Sequence, residues 1–301
     1  SIGRRETVTR ESKRTFTTKY PPGMVLMPHI EFGNKQSRPE FIAFYAKRLP
    51  EAYGETPLVD FQSIWEDMSP QLKLRFAEGI RFTTRLYPDY FRWIWGDYAS
   101  TWKGAFNTDD PEMAMQQCRL MGGVRSCTWK YDGSLEYVTE FPAVHFHKQR
   151  GGAAVLSTTF GFWNAELPLF SLARFAERLN MAERIHAYFF MRLKFGSTYF
   201  DPTPTRATFI DGSQLTVAES KELSDMIWDH SIVFPSQQAD MTILDNMDIG
   251  HGRMNVGGSI EQRKIISFIG GEFRVPEKVT TRLEFFAQNA PPSSSAYVSH
   301  A

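Results

Sequence analysis

Little cysteine, no long apolar run and no surplus of charge of either sign characterise this 301-residue chain. Cys118 and Cys127 are its two cysteines. Two thiols cannot build a disulfide framework or a Cys-rich zinc site, so a reducing, cytoplasmic setting is expected. The apolar stretches, Ala187 to Met191 with five residues among them, fall far short of the roughly 20 that a membrane helix needs. The opening Ser1-Ile2-Gly3-Arg4-Arg5 lacks the apolar core of a signal peptide. Thirty-four basic residues balance 34 acidic ones, which removes the electrostatic footprint of a general nucleic-acid binder. Neither nucleic acid nor membrane is therefore an expected partner. Also missing are a Walker A loop, G-x-G-x-x-G, G-x-S-x-G, H-E-x-x-H and C-x-x-C, the short motifs of phosphate, dinucleotide, serine-hydrolase, zinc-protease and redox sites.

What the chain does have is apolar and aromatic mass. Hydrophobic residues make up 42% and aromatic ones 14%, 25 of them Phe, enough for a thick core or an aromatic-lined pocket. Phe41–Ala46 predicts a buried strand. Ser69-Pro70 and Asp110-Pro111 each predict an N-cap followed by an N1 proline. Asp132-Gly133 predicts a hairpin turn, and Gly151-Gly152 a second one between Ala143–His147 and Ala154–Phe160. The spacing of Leu172, Phe175, Leu179, Ile185, Phe189 and Leu193 is helical. Thr216 with Glu219 predicts a capping box, and Met241–Leu244 and Lys264–Ile269 read as strands. The sum is a β-rich α+β fold with helical insertions rather than alternating βα units. One domain over 1–288 with a flexible 289–301 tail is the expected organisation.

Two features that invite a chemical reading have plain structural ones. His145 and His147 form an H-x-H pair that predicts a solvated strand face next to a turn. Cys118 fits a packed helix position better than a nucleophile. His29-Ile30-Glu31 differs, because residues i and i+2 of an extended segment face the same way and could offer an imidazole and a carboxylate to one cation.

That pair gains meaning from three segments further along the chain. Tyr53-Gly54-Glu55-Thr56-Pro57 comes next, then Asp245-Asn246-Met247-Asp248-Ile249-Gly250-His251-Gly252-Arg253, then Arg263-Lys264-Ile265-Ile266-Ser267. In order and spacing this resembles the taurine dioxygenase / clavaminate-synthase-like (TauD/TfdA) family of Fe(II)- and 2-oxoglutarate-dependent oxygenases, over about residues 3–270. The family shows H-x-[DE], a G-G-[DE]-T-P-like turn, D-N-x(4)-H-x-R, and an arginine opening the last core strand.

The resemblance implies a double-stranded β-helix (jelly-roll, cupin-like) core whose early strands precede Ser1 or are abbreviated. It implies Fe(II) on His29, Glu31 and His251, a facial set that leaves three positions open, with 2-oxoglutarate and O2 as cosubstrates and ascorbate as a helper in vitro. Thr56, 27 residues after His29, and Arg263, 12 after His251, would hold the oxo acid. Lys264 is the one-register alternative to Arg263. Arg253, Phe160 and Trp163 are candidate substrate contacts, and a helical lid over about 165–205, with Phe189-Phe190, is expected at the pocket mouth. The departures are specific: Tyr53-Gly54 stands for the double glycine, Ala239-Asp240 for a Gly-Asp, and Ser267 for a second basic residue, which argues against a taurine-like sulfonate.

The leading expectation is hydroxylation of a C–H bond in a small, apolar or amphipathic molecule of specialised metabolism, with release of succinate and CO2. Retention of Glu31 disfavours halogenation. Desaturation, epoxidation and oxidative cyclisation stay open, as does self-association into a homo-oligomer. A non-catalytic cupin-like binding protein and a structural zinc protein using these histidines are the competing classes.

Overall fold

The computed structural model describes residues 14–16, 23–91, 100–147, 150–151, 153–158, 160–196, 205–257 and 263–275. The expected tail over 289–301 and part of the expected lid, 197–204, lie outside them. The fold is strand-rich with helices, and among the described residues every pairing between strands is antiparallel.

Three sheets carry the architecture. One has the strand order Arg14–Phe16, Lys264–Gly270, Phe41–Arg48, Met241–Asp245. A second is ordered Thr205–Phe209, Ile80–Leu86, Leu135–Phe141, Val124–Trp129. The third sets Ile249–Arg253 between Leu26–His29 and Leu58–Asp60. A separate hairpin pairs Val144–His147 with Ala153–Leu156. The strand Ile80–Leu86 alternates buried and half-buried positions without a break, the pattern of a sheet with one face on the core.

Caps set the helix starts where the sequence places them. Ser69 caps Pro70–Ala77, Asp110 caps Pro111–Leu120, and Thr216 with Glu219 closes a full capping box on Val217–Asp229. The main core joins Phe61, Phe76, Phe82, Phe141, Phe160, Trp163 and Phe209 with aliphatic side chains such as Val59, Leu72, Ile80, Val155, Leu223 and Ile227. Such a block of aromatics is the chief apolar driving force for this fold.

The helical insertion falls after Leu156, as Glu166–Arg174 and Met181–Gly196. Its first helix is part of the body: Leu167 lies in the main core, and the Trp228 indole N–H donates to Ser171 Oγ at 2.9 Å. The second helix packs through Ala187 and Met191 on a small satellite cluster with Met24, Leu172 and Leu179. Phe189 points to solvent, 59% exposed, while Phe190 packs against that cluster.

Two expectations are corrected. Cys118 and Cys127 are not free thiols: a disulfide joins them across 6.4 Å between Cα atoms, because the helix end and the following strand turn back on each other. The cytoplasmic expectation thereby loses its cysteine argument. His145 and His147 are not on a solvated face: both are buried, because the 245–248 turn covers that side of the hairpin. No helix among the described residues is long and apolar enough to cross a membrane.

Candidate metal centre and anion pocket

Two glycines bring the strands of the small sheet together. His251 pairs in register with His29 on one side and Leu58 on the other. A Cβ at Gly250 would run into the Phe61 ring, and one at Gly252 into the Leu26 carbonyl. The sequence Gly-His-Gly therefore lets the strand carrying one imidazole approach the strand carrying the other. The pairing slips by one residue between His251 and Arg253, opposite Met27-Pro28, a bulge on an edge strand where proline is tolerated.

The strand ends at His29, and Glu31 lies in a turn. Strand alternation is thus not what aims the carboxylate. Phe32 takes a left-handed backbone, φ 59°, and Asn246 grips the turn. Its Oδ1 accepts the Glu31 N–H at 2.8 Å, and its Nδ2 donates to the Glu31 carbonyl at 3.2 Å and the Pro39 carbonyl at 2.9 Å. Asn246 is 1% exposed. The D-N-x(4)-H signature contains this residue, but spacing alone assigns it no role.

The result is one compact donor set. One ligand atom each from His29, Glu31 and His251 lies within 4.8 Å of the others. His251 Nε2 is 3.6 Å from Glu31 Oε2, and the two imidazole centroids are 4.8 Å apart. Bonds of about 2.1 Å to an octahedral cation put neighbouring ligand atoms about 3 Å apart, so small movements would seat a metal. His29 Nδ1 donates to the Met27 carbonyl at 3.0 Å, which leaves the ring's lone pair on Nε2. The Phe44 ring packs 4.8 Å from that of His251. Glu31 is 1% exposed; a carboxylate buried between two imidazoles needs positive charge beside it. Donor chemistry and burial both fit a divalent iron.

Beside this set runs the Glu55–Leu58 segment. Gly252 N–H donates to the Pro57 carbonyl at 3.0 Å and Met254 N–H to the Glu55 carbonyl at 2.9 Å. Arg263 reaches the same segment: Nε donates to the Gly54 carbonyl at 2.9 Å, and Nη2 stands 3.5 Å from Thr56 Oγ1. Burial, reinforced by the like charge of Arg253 and only partly offset by Glu55, pushes the Arg263 guanidinium down to about 9. Two guanidinium groups of like charge, Arg253 buried and Arg263 half-buried, thus stand close together, an arrangement suited to a carboxylate. Lys264 is exposed on the opposite side of the strand, so the geometry favours Arg263 in the register choice. Arg253 is buried and donates to the Met24 carbonyl at 3.1 Å.

Phe160 and Trp163 are not gathered here. Phe160 packs on Phe61, and Trp163 packs on Phe76 and Phe209, with both side chains at or below 2% exposure. Their aromatic character serves the core, so the expectation of substrate contacts from these two residues is corrected. Arg178, on the turn between the two insertion helices, pairs with Glu55 at 3.2 Å and lies 4.8 Å over the Tyr53 ring. The insertion therefore touches the pocket through an arginine that the sequence does not single out.

The chain is similar to known proteins. A model of the taurine catabolism dioxygenase TauD, TfdA family matches residues 3–266. The dapdiamide synthesis protein DdaC of Enterobacter agglomerans is 23% identical over 238 residues, which is 79% of this chain and 64% of that protein. Among solved structures, a taurine dioxygenase from Burkholderia xenovorans aligns over 90% of this chain and 65% of its own, at 14% identity and TM-score 0.41. An asparagine oxygenase in complex with Fe(II), 2S,3S-3-hydroxyasparagine and succinate aligns over 91% and 61%, at 11% identity and TM-score 0.43. This chain spans less than two thirds of the length of each.

Proposed function

The chain belongs to the TauD/TfdA dioxygenase family, and from that premise we propose that it is an Fe(II)/2-oxoglutarate-dependent oxygenase on a double-stranded β-helix core, hydroxylating a C–H bond of a small molecule. The observation that carries this reading is the convergence of His29, Glu31 and His251 within 4.8 Å, beside Thr56 and Arg263, which contact each other. When bound, iron and 2-oxoglutarate supply the oxidising power: the oxo acid loses CO2 to become succinate, one O2 atom goes to succinate and the other to the substrate.

The protein's own residues hold and orient. His29, fixed by the Met27 carbonyl, presents Nε2. Glu31 offers its carboxylate from a turn that Asn246 ties down. Arg263 and the Thr56 hydroxyl take the far carboxylate of the oxo acid, an ion pair strengthened by burial. Arg253, through its like charge on Arg263, sharpens that demand for an anion. Glu31 occupies the position that must stay empty for a halide, so the reading is oxygenation. Specialised metabolism as the setting draws support from DdaC, named for dapdiamide synthesis.

Desaturation, epoxidation and ring closure use the same machinery, and product mass separates them. The test is a substrate screen with Fe(II), ascorbate and 2-oxoglutarate, reading succinate and product mass. Substrate-dependent succinate from the native protein and none from Glu31→Ala is the expected result. Oxo-acid binding without turnover on any substrate, with the metal bound, would favour a non-catalytic binding protein.

A further inference from the structure

A second group of donors lies behind Asn246. His147 ends the strand Val144–His147, and its Nε2 is 3.1 Å from Asp245 Oδ2. Asp248 faces the same space, and one ligand atom each from His147, Asp245 and Asp248 lies within 4.8 Å of the others. His147 and Asp248 are 1% and 5% exposed, while Asp245 stands at the solvent edge with its side chain 39% exposed. The group is therefore buried on two sides and open on the third, which gives an ion a way in.

Two further observations point to a ligand. Asp248 Oδ2 accepts from Arg150 at 2.6 Å, yet its buried Oδ1 has no hydrogen-bond partner among the described residues. A buried carboxylate oxygen left unsatisfied is costly. Charge is also out of balance. Among the described residues, Asp60, Asp245 and Asp248 set three carboxylates around the guanidinium of Arg150, which spans Asp60 and Asp248. Arg38, beyond His145, is occupied with the carbonyls of Gly33 and Lys35 and the hydroxyl of Ser157. A dication would offset the surplus of carboxylates and occupy the orphaned oxygen.

We propose that His147, Asp245 and Asp248 form a second divalent-cation site, taking a first-row ion such as Zn(II) or Mn(II), joined through Asn246 to the His29–Glu31–His251 set. One imidazole and two carboxylates suit these ions rather than a thiolate-seeking or an all-oxygen one. The site is structural. Asp245 and Asp248 flank Asn246 in one turn, so an ion there stiffens the residue that grips Glu31. It stands independently of the oxygenase reading, since neither donor set shares a residue with the other.

The test counts metal in the full chain after equilibrium dialysis against Mn(II), and separately Zn(II). The native protein should bind two equivalents. The double variant His29→Ala/Glu31→Ala should keep one, with the Mn(II) electron paramagnetic resonance signal of a bound ion. Asp245→Asn keeps the Oδ1 that accepts Met247 N–H at 2.9 Å but loses the anionic ligand. It should weaken that remaining equivalent by at least tenfold. Should Asp248→Asn fail to fold, Asp245→Asn at the solvent edge still decides the matter. One equivalent in the native protein, or none in the double variant, overturns the proposal. So does an Asp245→Asn protein that retains full second-site affinity, because His147 and Asp245 are then only a hydrogen-bonded pair.

Discussion

Asn246 holds both backbone groups of Glu31, accepting its N–H at 2.8 Å and donating to its carbonyl at 3.2 Å. Two distant stretches are thereby tied together: the segment that carries His251 also aims the carboxylate that faces it. Asn246→Ala leaves the Glu31 amide without its acceptor and the Pro39 carbonyl without its donor. Each buried group left unsatisfied costs on the order of 1–3 kcal/mol. Asn246→Ala should weaken iron binding by about 10- to 100-fold, measured by metal titration, and Asn246→Asp should do the same because a carboxylate cannot donate to the two carbonyls. Unchanged iron affinity in both variants would reduce Asn246 to a turn residue.

Arg263→Ala should raise the apparent KM for 2-oxoglutarate by about 10- to 150-fold, the equivalent of a charge-assisted bond worth on the order of 1.5–3 kcal/mol. Metal content should stay the same, since Arg263 touches Gly54 and Thr56 rather than the histidines. Lys264→Ala, on the exposed side of the strand, should change neither. The reverse pattern would shift the assignment by one residue.

The sequence exposes the donor types and their order, because motif spacing survives folding: His29, Glu31 and His251 do meet. It does not expose how Glu31 is aimed, since strand alternation predicts a facing carboxylate where the structure uses a turn and an asparagine 215 residues away. Local pattern also misjudges the H-x-H pair, because the alternation of a hairpin cannot reveal that another segment covers its outer face. Phe160 and Trp163 mislead for the same reason: an aromatic side chain has the same letter in a pocket wall as in a packed core.

The buried His145 makes acid lability predictable. Burial first, then the charges of Arg38 and His147, push its imidazole down to about 3, with the Met247 backbone opposing. Its folded pKa is thus below the ordinary value near 6.5, and the unfolded chain binds the extra proton first. Its contribution is fully present above pH 6.5 and is lost as pH falls from 6.5 toward 3, at up to about 1.4 kcal/mol per pH unit. His145→Gln should flatten this part of the stability curve, followed by urea melts between pH 7 and 4. An equally steep curve in the variant would assign the acid loss to other groups.

Both departures from the family's glycines fall on left-handed backbone: Tyr53 at φ 60° and Ala239 at φ 75°. A side chain there costs about 1–2 kcal/mol, while glycine gives back about 0.4–1 kcal/mol through a freer unfolded chain. Ala239 is exposed, and its N–H bond to the Ala46 carbonyl, at 2.8 Å, survives substitution. Ala239→Gly should therefore stabilise the protein by about 0.5–1 kcal/mol. Tyr53 differs, because its ring carries the Arg178 guanidinium at 4.8 Å, a contact worth about 0.5–1 kcal/mol at a partly exposed site. Tyr53→Gly should relieve the same strain but lose that contact and loosen Arg178 from Glu55, leaving stability nearly unchanged while the KM for substrate rises. Chemical denaturation of the two variants side by side checks the contrast. Equal stabilisation in both would mean that Arg178 gains nothing from Tyr53, and the link between the helical insertion and the Glu55–Leu58 segment would rest on the Glu55 ion pair alone.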